Sequence, residues 1–170
     1  MLAYRIKLLN KLLADYRGKV ILEEIKIAKV SPDSKVLFIG CGLIPSTPII
    51  ITKETNAHVT AIEHNSKIVH IADSHINKNG LSNKIKIEIG NGTNYPVEQF
   101  DVIFIAINVW PIDMVLKHLS KNMKPKARVM CKGLKNDVTK LLESESLLEA
   151  FSVEMVLDNP DTQSFLLVKK

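Results

Sequence analysis

A doubly wound α/β domain is the fold class this sequence predicts, and three observations predict it. Strand-like apolar runs alternate with segments of helical period from residue 35 to residue 149, the pattern of βαβ units and a parallel sheet with helices on both faces. One run, residues 101–107, is nearly all apolar, as suits a central strand buried on both faces. The chain then leaves the alternation: residues 151–157 and 164–169 are two strand-like stretches joined by Asp158-Asn159-Pro160-Asp161, a turn or hairpin.

The elements follow in order. Residues 2–15 carry Leu2, Ile6, Leu9 and Leu13 at helical spacing, and Tyr16-Arg17-Gly18 ends that segment. A second helix, about 19–29, sets Val20, Ile21, Ile25 and Ala28 on one side before the turn Ser31-Pro32-Asp33-Ser34. Residues 35–39 are a buried strand, and 46–53 a short helix that Ser46 or Thr47 can cap. Residues 58–63 are a second strand, and 65–79 a helix with Ile68, Ile71, Ala72 and Ile76 inward, stopped by Gly80. Strict alternation over 84–89 gives a third strand, followed by the loop Gly90-Asn91-Gly92. The fourth strand, 101–107, leads to a helix over 112–123 that breaks before Pro125. A fifth strand, 128–132, and a helix, 134–149, complete the alternating part. No internal repeat, low-complexity segment or linker interrupts this order, so 1–170 reads as a single domain with residues 1–30 as a helical cap.

Bulk properties narrow the function class. A chain of 170 residues can bury a full core around a parallel sheet. The net charge of +5 comes from 23 basic and 18 acidic residues. The lysines are spread along the chain without a dense Arg-rich block, so a nucleic-acid partner is not indicated. The longest apolar stretch, 102–110, contains Asn108 and falls well short of the roughly 18 residues of a membrane span. Lys7, Asn10 and Lys11 interrupt any signal-peptide core, so the expected compartment is the cytoplasm. Cys41 and Cys131 fall on elements that are not neighbours and are expected as free thiols. They have no neighbouring histidines, and His70, His75 and His118 lack metal-ligand spacing, so no metal is expected and these histidines read as surface residues.

In doubly wound sheets, ligands bind outside the carboxyl ends of the strands, where the strand order reverses. The loop after the first strand, Gly40-Cys41-Gly42-Leu43-Ile44-Pro45, is therefore the first candidate. Its glycines let backbone approach a ligand closely, and the helix start beyond it offers free N–H groups. Glu63 ends the second strand, 23 positions after Gly40. A carboxylate there can accept two hydrogen bonds from ribose hydroxyls, so the pair forms a nucleoside-site pattern. A dinucleotide site wants a third glycine where this chain has Pro45, which weighs against a dehydrogenase.

With Gly40-Cys41-Gly42, Glu63, Gly90-Asn91-Gly92 and Phe100-Asp101-Val102-Ile103 in order, residues 30–170 resemble the class I S-adenosylmethionine-dependent methyltransferases. The resemblance implies a Rossmann-like, mostly parallel seven-stranded sheet with an antiparallel C-terminal strand, and S-adenosylmethionine as cofactor. It also implies that Gly40 and Gly42 lie against the methionine part and that Glu63 holds the ribose. Asn91 and Gly92 would sit near the adenine, and Ala106 to Asn108 would face the reacting centre. Cys41 belongs to the same cofactor loop, and His64, next to Glu63, would touch the cofactor. The chain departs from the family where Phe38 replaces a frequent acid, Ile44 a third glycine and Asn91 a common aspartate.

Phe38 through Thr47 also resembles the first motif of nicotianamine synthase and its archaeal relatives, which transfer an aminocarboxypropyl group from the same cofactor. That group carries a glutamate on the helix before the first strand, and Glu24 stands at the matching place. Val20, Glu24 and Ile27 share a helix face, so the Glu24 carboxylate lies on or beside the apolar side, where it could serve as a general base. The large N-terminal helical domain of those synthases has no counterpart in this sequence, so residues 1–30 would have to cover the substrate. Tyr16, Tyr95 and Trp110 are further candidates to line the pocket. Cys41 at a helix start could be reactive, or simply a small residue in the turn.

Three functions fit these features. The first is a methyltransferase acting on a small molecule. The second is a nicotianamine-synthase-like aminocarboxypropyl transferase. The third is a non-catalytic module that binds the nucleoside and a partner. After the fourth strand stands Ala106-Ile107-Asn108-Val109 rather than the Asn-Pro-Pro-Tyr or Asp-Pro-Pro-Tyr typical of base and glutamine methylation, which lowers that subclass.

Overall fold

A computed structural model describes residues 16–134, 140, 143–158 and 162–170. Helix α1 occupies 16–27 of these. Then follow β1 (Lys35–Ile39), α2 (Ser46–Thr55), β2 (His58–Glu63), α3 (Ser66–Lys78), β3 (Ile85–Ile89) and β4 (Val102–Ile105). The chain continues through α4 (Ile112–Asn122), β5 (Arg128–Leu134), α5 (Glu145–Ala150), β6 (Phe151–Asp158) and β7 (Thr162–Lys169). The strands form one seven-stranded sheet in the order β3-β2-β1-β4-β5-β7-β6. The pairs β3-β2, β2-β1, β1-β4 and β4-β5 are parallel, whereas β7 runs antiparallel to both β5 and β6. This is the Rossmann-like sheet with an antiparallel C-terminal strand that the sequence led us to expect.

Period-two alternation along the central strands splits the core into two layers. Leu37, Ile39, Ile103, Ile105, Val129 and Cys131 face α4 and α5, where Val115, Leu116, Leu119 and Leu147 cover them. Val36, Phe38, Val102, Phe104 and Met130 face the other way, under Ile21 and Ile25 of α1, Ile51 of α2, and Ala72 and Ile76 of α3. Each such buried aliphatic or aromatic side chain contributes about 1.5–3 kcal/mol relative to exposure. The two layers together hold the strand ends in register.

The strand order reverses between β1 and β4. From β1 the chain winds outward to β2 and β3, then crosses back to β4 on the other side of β1. A crevice at the carboxyl ends of β1 and β4 follows from this reversal.

Several local expectations need correction. Residues 16–18 do not end a helix but lie inside α1, which stops at 27, before Lys29 at φ 51°. Neither Ser46 nor Thr47 caps α2. Pro45 holds the N-cap position and no side chain bonds the first turn. In α3 the inward row is Val69, Ala72 and Ile76, spaced by three and four, while Ile71 is exposed. The fourth strand stops at Ile105 rather than 107. The helix expected over 2–15 lies outside the described residues, as do 135–139, 141–142 and 159–161 of the later segments. No helix among the described residues is long and apolar enough to cross a membrane.

Candidate functional site

A cavity of about 490 Å³ opens at the carboxyl ends of β1, β2 and β4, within the range of small-molecule sites. Its walls come from three loops. The first follows β1, where Gly40 and Gly42 take φ of 84° and 64°. A Cβ on Gly40 would stand 2.6 Å from Val109 Cγ2, so this position needs glycine for both its backbone and its neighbour. The second loop, Gly90-Asn91-Gly92, follows β3. A Cβ on Gly92 would lie 2.8 Å from Ile39 Cγ2 and one on Gly90 2.8 Å from Tyr95 Cδ2, so this backbone rests directly on core side chains. The third loop, Ala106 to Trp110, follows β4 and returns Val109 over Gly40. Ile39, Ile62 and Val115 give the cavity an apolar floor.

Glu63 is the buried acid of this cavity, 6% exposed. The Gly42 N–H donates to its Oε2 at 3.3 Å and the Asn65 N–H to its Oε1 at 3.2 Å. His64 Nδ1 lies 2.9 Å from the same Oε1, with its own side chain 81% exposed. Two backbone donors therefore hold the carboxylate in place. Oε2 has a single partner and keeps capacity for a further donor. Asn91 turns its Oδ1 back onto the Thr93 N–H and hydroxyl, each at 3.0 Å, which fixes the loop more than it faces a ligand.

The cavity brings together Gly40, Gly42, Glu63, His64, Asn91, Gly92, Ala106 and Asn108 of the expected set. It does not include Cys41, which is buried in the core layer that also holds Phe38 and Ile25. Burial and then the Glu63 carboxylate push that thiol up to about 11, so Cys41 is a packing residue and not a reactive one. Burial likewise raises Cys131, and both thiols are free.

Glu24 also lies apart from the lining. It is 3% exposed, and its Oε1 receives the Ser164 hydroxyl at 2.6 Å and Lys132 Nζ at 2.8 Å. Oε1 of Glu24, the residue expected as a general base, is thus occupied by an ammonium and a hydroxyl.

Trp110 is on the cavity rim and 86% exposed. Tyr16 and Tyr95 do not line the cavity. Tyr95 supports it from beneath, packing under Gly90 and donating to Glu88 Oε2 at 2.6 Å. His118 is not a surface residue: it is half-buried, with Nε2 2.7 Å from the Tyr95 carbonyl. Sequence reasoning missed Val109 and Val115, whose only signal was apolar character beside the glycines. It also missed Lys132, whose signal was a cation ending an otherwise buried strand. A second cavity, about 460 Å³, lies between α4 and α5 among Lys117, Lys121, Ser144 and Ser146. Its polar lining residues among those described are exposed or half-buried.

A profile of the nicotianamine synthase protein family matches residues 19–167. The chain belongs to this family. It is also 32% identical over 117 residues to a protein-lysine N-methyltransferase of Saccharolobus islandicus, spanning 66% of this chain and 70% of that one. Among solved structures, a mutant of MtNAS in complex with S-adenosylmethionine superposes with a TM-score of 0.76 at 18% identity, over 89% of this chain. The family member described here spans 60% of that MtNAS chain. An RNA methyltransferase from Salinibacter ruber in complex with S-adenosyl-L-homocysteine gives a TM-score of 0.73 at 12% identity, over 89% of this chain and 90% of that one. The fold is thus the one shared by S-adenosylmethionine-dependent methyltransferases and MtNAS.

Proposed function

We propose that the chain binds S-adenosylmethionine in the β1–β2–β4 cavity and transfers its methyl group to a small-molecule acceptor. The observation that carries this reading is the Glu63 carboxylate, held by the Gly42 and Asn65 N–H groups at the carboxyl end of β2. A carboxylate placed there accepts from a ribose diol. The residues present fit such a nucleoside. Gly92 backbone over Ile39 and Val115 offers a flat apolar floor for a base, and Gly40 keeps the path from ribose to β4 clear. Gly42, His64, Asn91, Ala106 and Asn108 complete the set that would hold it.

The sulfonium supplies an already activated methyl carbon: the acceptor lone pair forms the new bond, the carbon–sulfur bond breaks, and its electron pair stays on sulfur. The chain contributes alignment and exclusion of water. Ala106 to Trp110 are placed to orient an acceptor, with Val109 closing the floor and Trp110 standing at the open side. An acceptor that arrives with a free lone pair needs no protein base, which fits a cavity whose lining does not include Glu24. The single-domain organisation over 1–170 and a cytoplasmic setting, supported by two unpaired cysteines, belong to the same proposal.

A second reading is favoured by the family match over residues 19–167: transfer of the aminocarboxypropyl group. Product analysis separates the two. The protein is incubated with S-adenosylmethionine and a panel of free amines, amino acids and a lysine-rich protein, the last because of the Saccharolobus relative. S-adenosylhomocysteine is the expected product. Accumulation of methylthioadenosine contradicts methyl transfer and supports the second reading. Tight binding with no turnover across the panel supports a non-catalytic nucleoside-binding module.

A further inference from the structure

Beyond the cavity, a polar cluster sits where the core would be expected to be dry. Glu24 of α1, Lys132 of β5 and Ser164 of β7 meet at one carboxylate oxygen, Oε1 of Glu24. The Glu24 side chain is 4% exposed and Ser164 is fully buried, whereas the Lys132 side chain is 25% exposed. Burying an ion pair costs desolvation that apolar packing would avoid, so the cluster is weak evidence for stability and better explained by a task.

Its position in the sheet says what the task is. Ile39 of β1 pairs with Ile105 of β4, which pairs with Cys131 of β5. One residue beyond each lie Gly40, Ala106 and Lys132. Lys132 itself pairs with Ser164. The Ala106 N–H donates to the Ile39 carbonyl at 3.1 Å, and a Cβ on Gly40 would lie 3.5 Å from the Ala106 Cβ, so Gly40 and Ala106 are neighbours on one face, with Lys132 one residue past the last β4–β5 pair. Met130, two residues before Lys132, packs on that face with Phe38 and Phe104 beneath α1. Gly40 and Ala106 line the cavity, and Lys132 stands one strand further along the same row.

We propose that Lys132 binds the α-carboxylate of the aminocarboxypropyl tail of the bound sulfur nucleoside and Glu24 its ammonium, with Ser164 as the positioning residue that holds the Glu24 carboxylate. The inference rests on the cofactor reading above. With Glu63 at the ribose, the tail runs from Gly40 past Ala106 toward Lys132. The ammonium has three donors, of which Glu24 takes one at 2.8 Å. Glu24 Oε1 is filled by two donors, which leaves Oε2 as the oxygen able to receive the ammonium of the same amino-acid tail. The neutral pair thus matches a zwitterion, charge for charge.

Calorimetric titration with S-adenosylhomocysteine, which carries the tail, and 5′-methylthioadenosine, which lacks it, tests the assignment. In Lys132→Met, binding of S-adenosylhomocysteine is expected to weaken on the order of 10- to 100-fold, the loss of one charge-assisted hydrogen bond. Binding of methylthioadenosine is expected to stay unchanged. Because removing Lys132 alone leaves a buried carboxylate without its partner, the double variant Glu24→Gln/Lys132→Met is measured alongside it, and a selective loss at least as large is expected, since the bond to the tail's ammonium is weakened too. In Glu63→Ala both ligands weaken together. If both ligands bind the Lys132→Met or double variant as they bind the wild type, or weaken in equal proportion, the assignment is overturned while the cofactor reading stands. If the wild type binds neither nucleoside, the cofactor reading falls and this inference with it.

Discussion

The Gly42 N–H is 3.3 Å from Oε2 of Glu63, 21 positions along the chain, and this bond ties the glycine turn after β1 to the acid that ends β2. Loop shape and carboxylate orientation are therefore one feature. Replacing Glu63 by Gln keeps the size and removes the charge, so charge-assisted bonds become neutral ones of about half the strength. S-adenosylhomocysteine binding is expected to fall about 10-fold in Glu63→Gln with little change in melting temperature. An unchanged affinity would mean that the carboxylate does not meet the ligand.

Gly40 is limited twice, by its φ of 84° and by Val109 Cγ2 at 2.6 Å from the position of a Cβ. Gly40→Ala is expected to cost about 1–3 kcal/mol of stability through backbone strain and overpacking. Adding Val109→Ala should return the steric part and leave the backbone part. Thermal or urea unfolding of the single and double variants measures both. Equal stabilities for the two would remove Val109 from this account.

Trp110 is the chain's single tryptophan, and it is 86% exposed on the cavity rim. Its fluorescence therefore reports on this site alone. Saturation with S-adenosylhomocysteine is expected to reduce acrylamide quenching of Trp110. Identical quenching with and without ligand, at a concentration where calorimetry shows saturation, would place the ligand elsewhere.

The Cys41 thiol is pushed from 9.0 to about 11, by burial first and by the Glu63 carboxylate second. A thiol whose folded pKa is raised holds its proton longer in the native state than in the unfolded one. Stability is therefore unaffected below about pH 9 and falls as pH rises from 9.0 towards 11, where the unfolded state has lost protons that the native state still binds. Unfolding free energy measured across that window should decline. Alkylation at pH 8 should be slow in the native protein and fast in urea. Rapid native alkylation of Cys41 would contradict the packing described for it.

Much of the frame was legible before any coordinates. Strands 35–39 and 58–63 were expected with the bounds that β1 and β2 have, because runs apolar on both faces and bounded by turn residues leave little choice of register. The loops that line the cavity were legible too, since two closely spaced glycines and an acid after successive strands carry a local signal. What stayed hidden is tertiary. Nothing local says which way Cys41 turns between two glycines; its burial in the layer beneath α1 decides it. The fourth strand ends early because Ala106 and Ile107 enter a turn closed by the Val109 N–H on the Ala106 carbonyl at 3.2 Å, and their apolar character resembles more strand. Lys132, Glu24 and Ser164 lie on three elements far apart in sequence, and only Glu24 stood out alone, by its place on the apolar side of its helix. Only the β5–β7 register and the seat of α1 bring them to one oxygen.

The central claim is that this cavity is built for an S-adenosyl sulfur nucleoside around Glu63. Calorimetric titration of the wild type and Glu63→Ala with S-adenosylhomocysteine and, separately, with NAD tests it most directly. The account predicts one-to-one binding of S-adenosylhomocysteine to the wild type, a loss on the order of 100-fold in Glu63→Ala, and no saturable binding of NAD. A folded wild type that binds no S-adenosylhomocysteine, or binds it equally well without the Glu63 carboxylate, would contradict it.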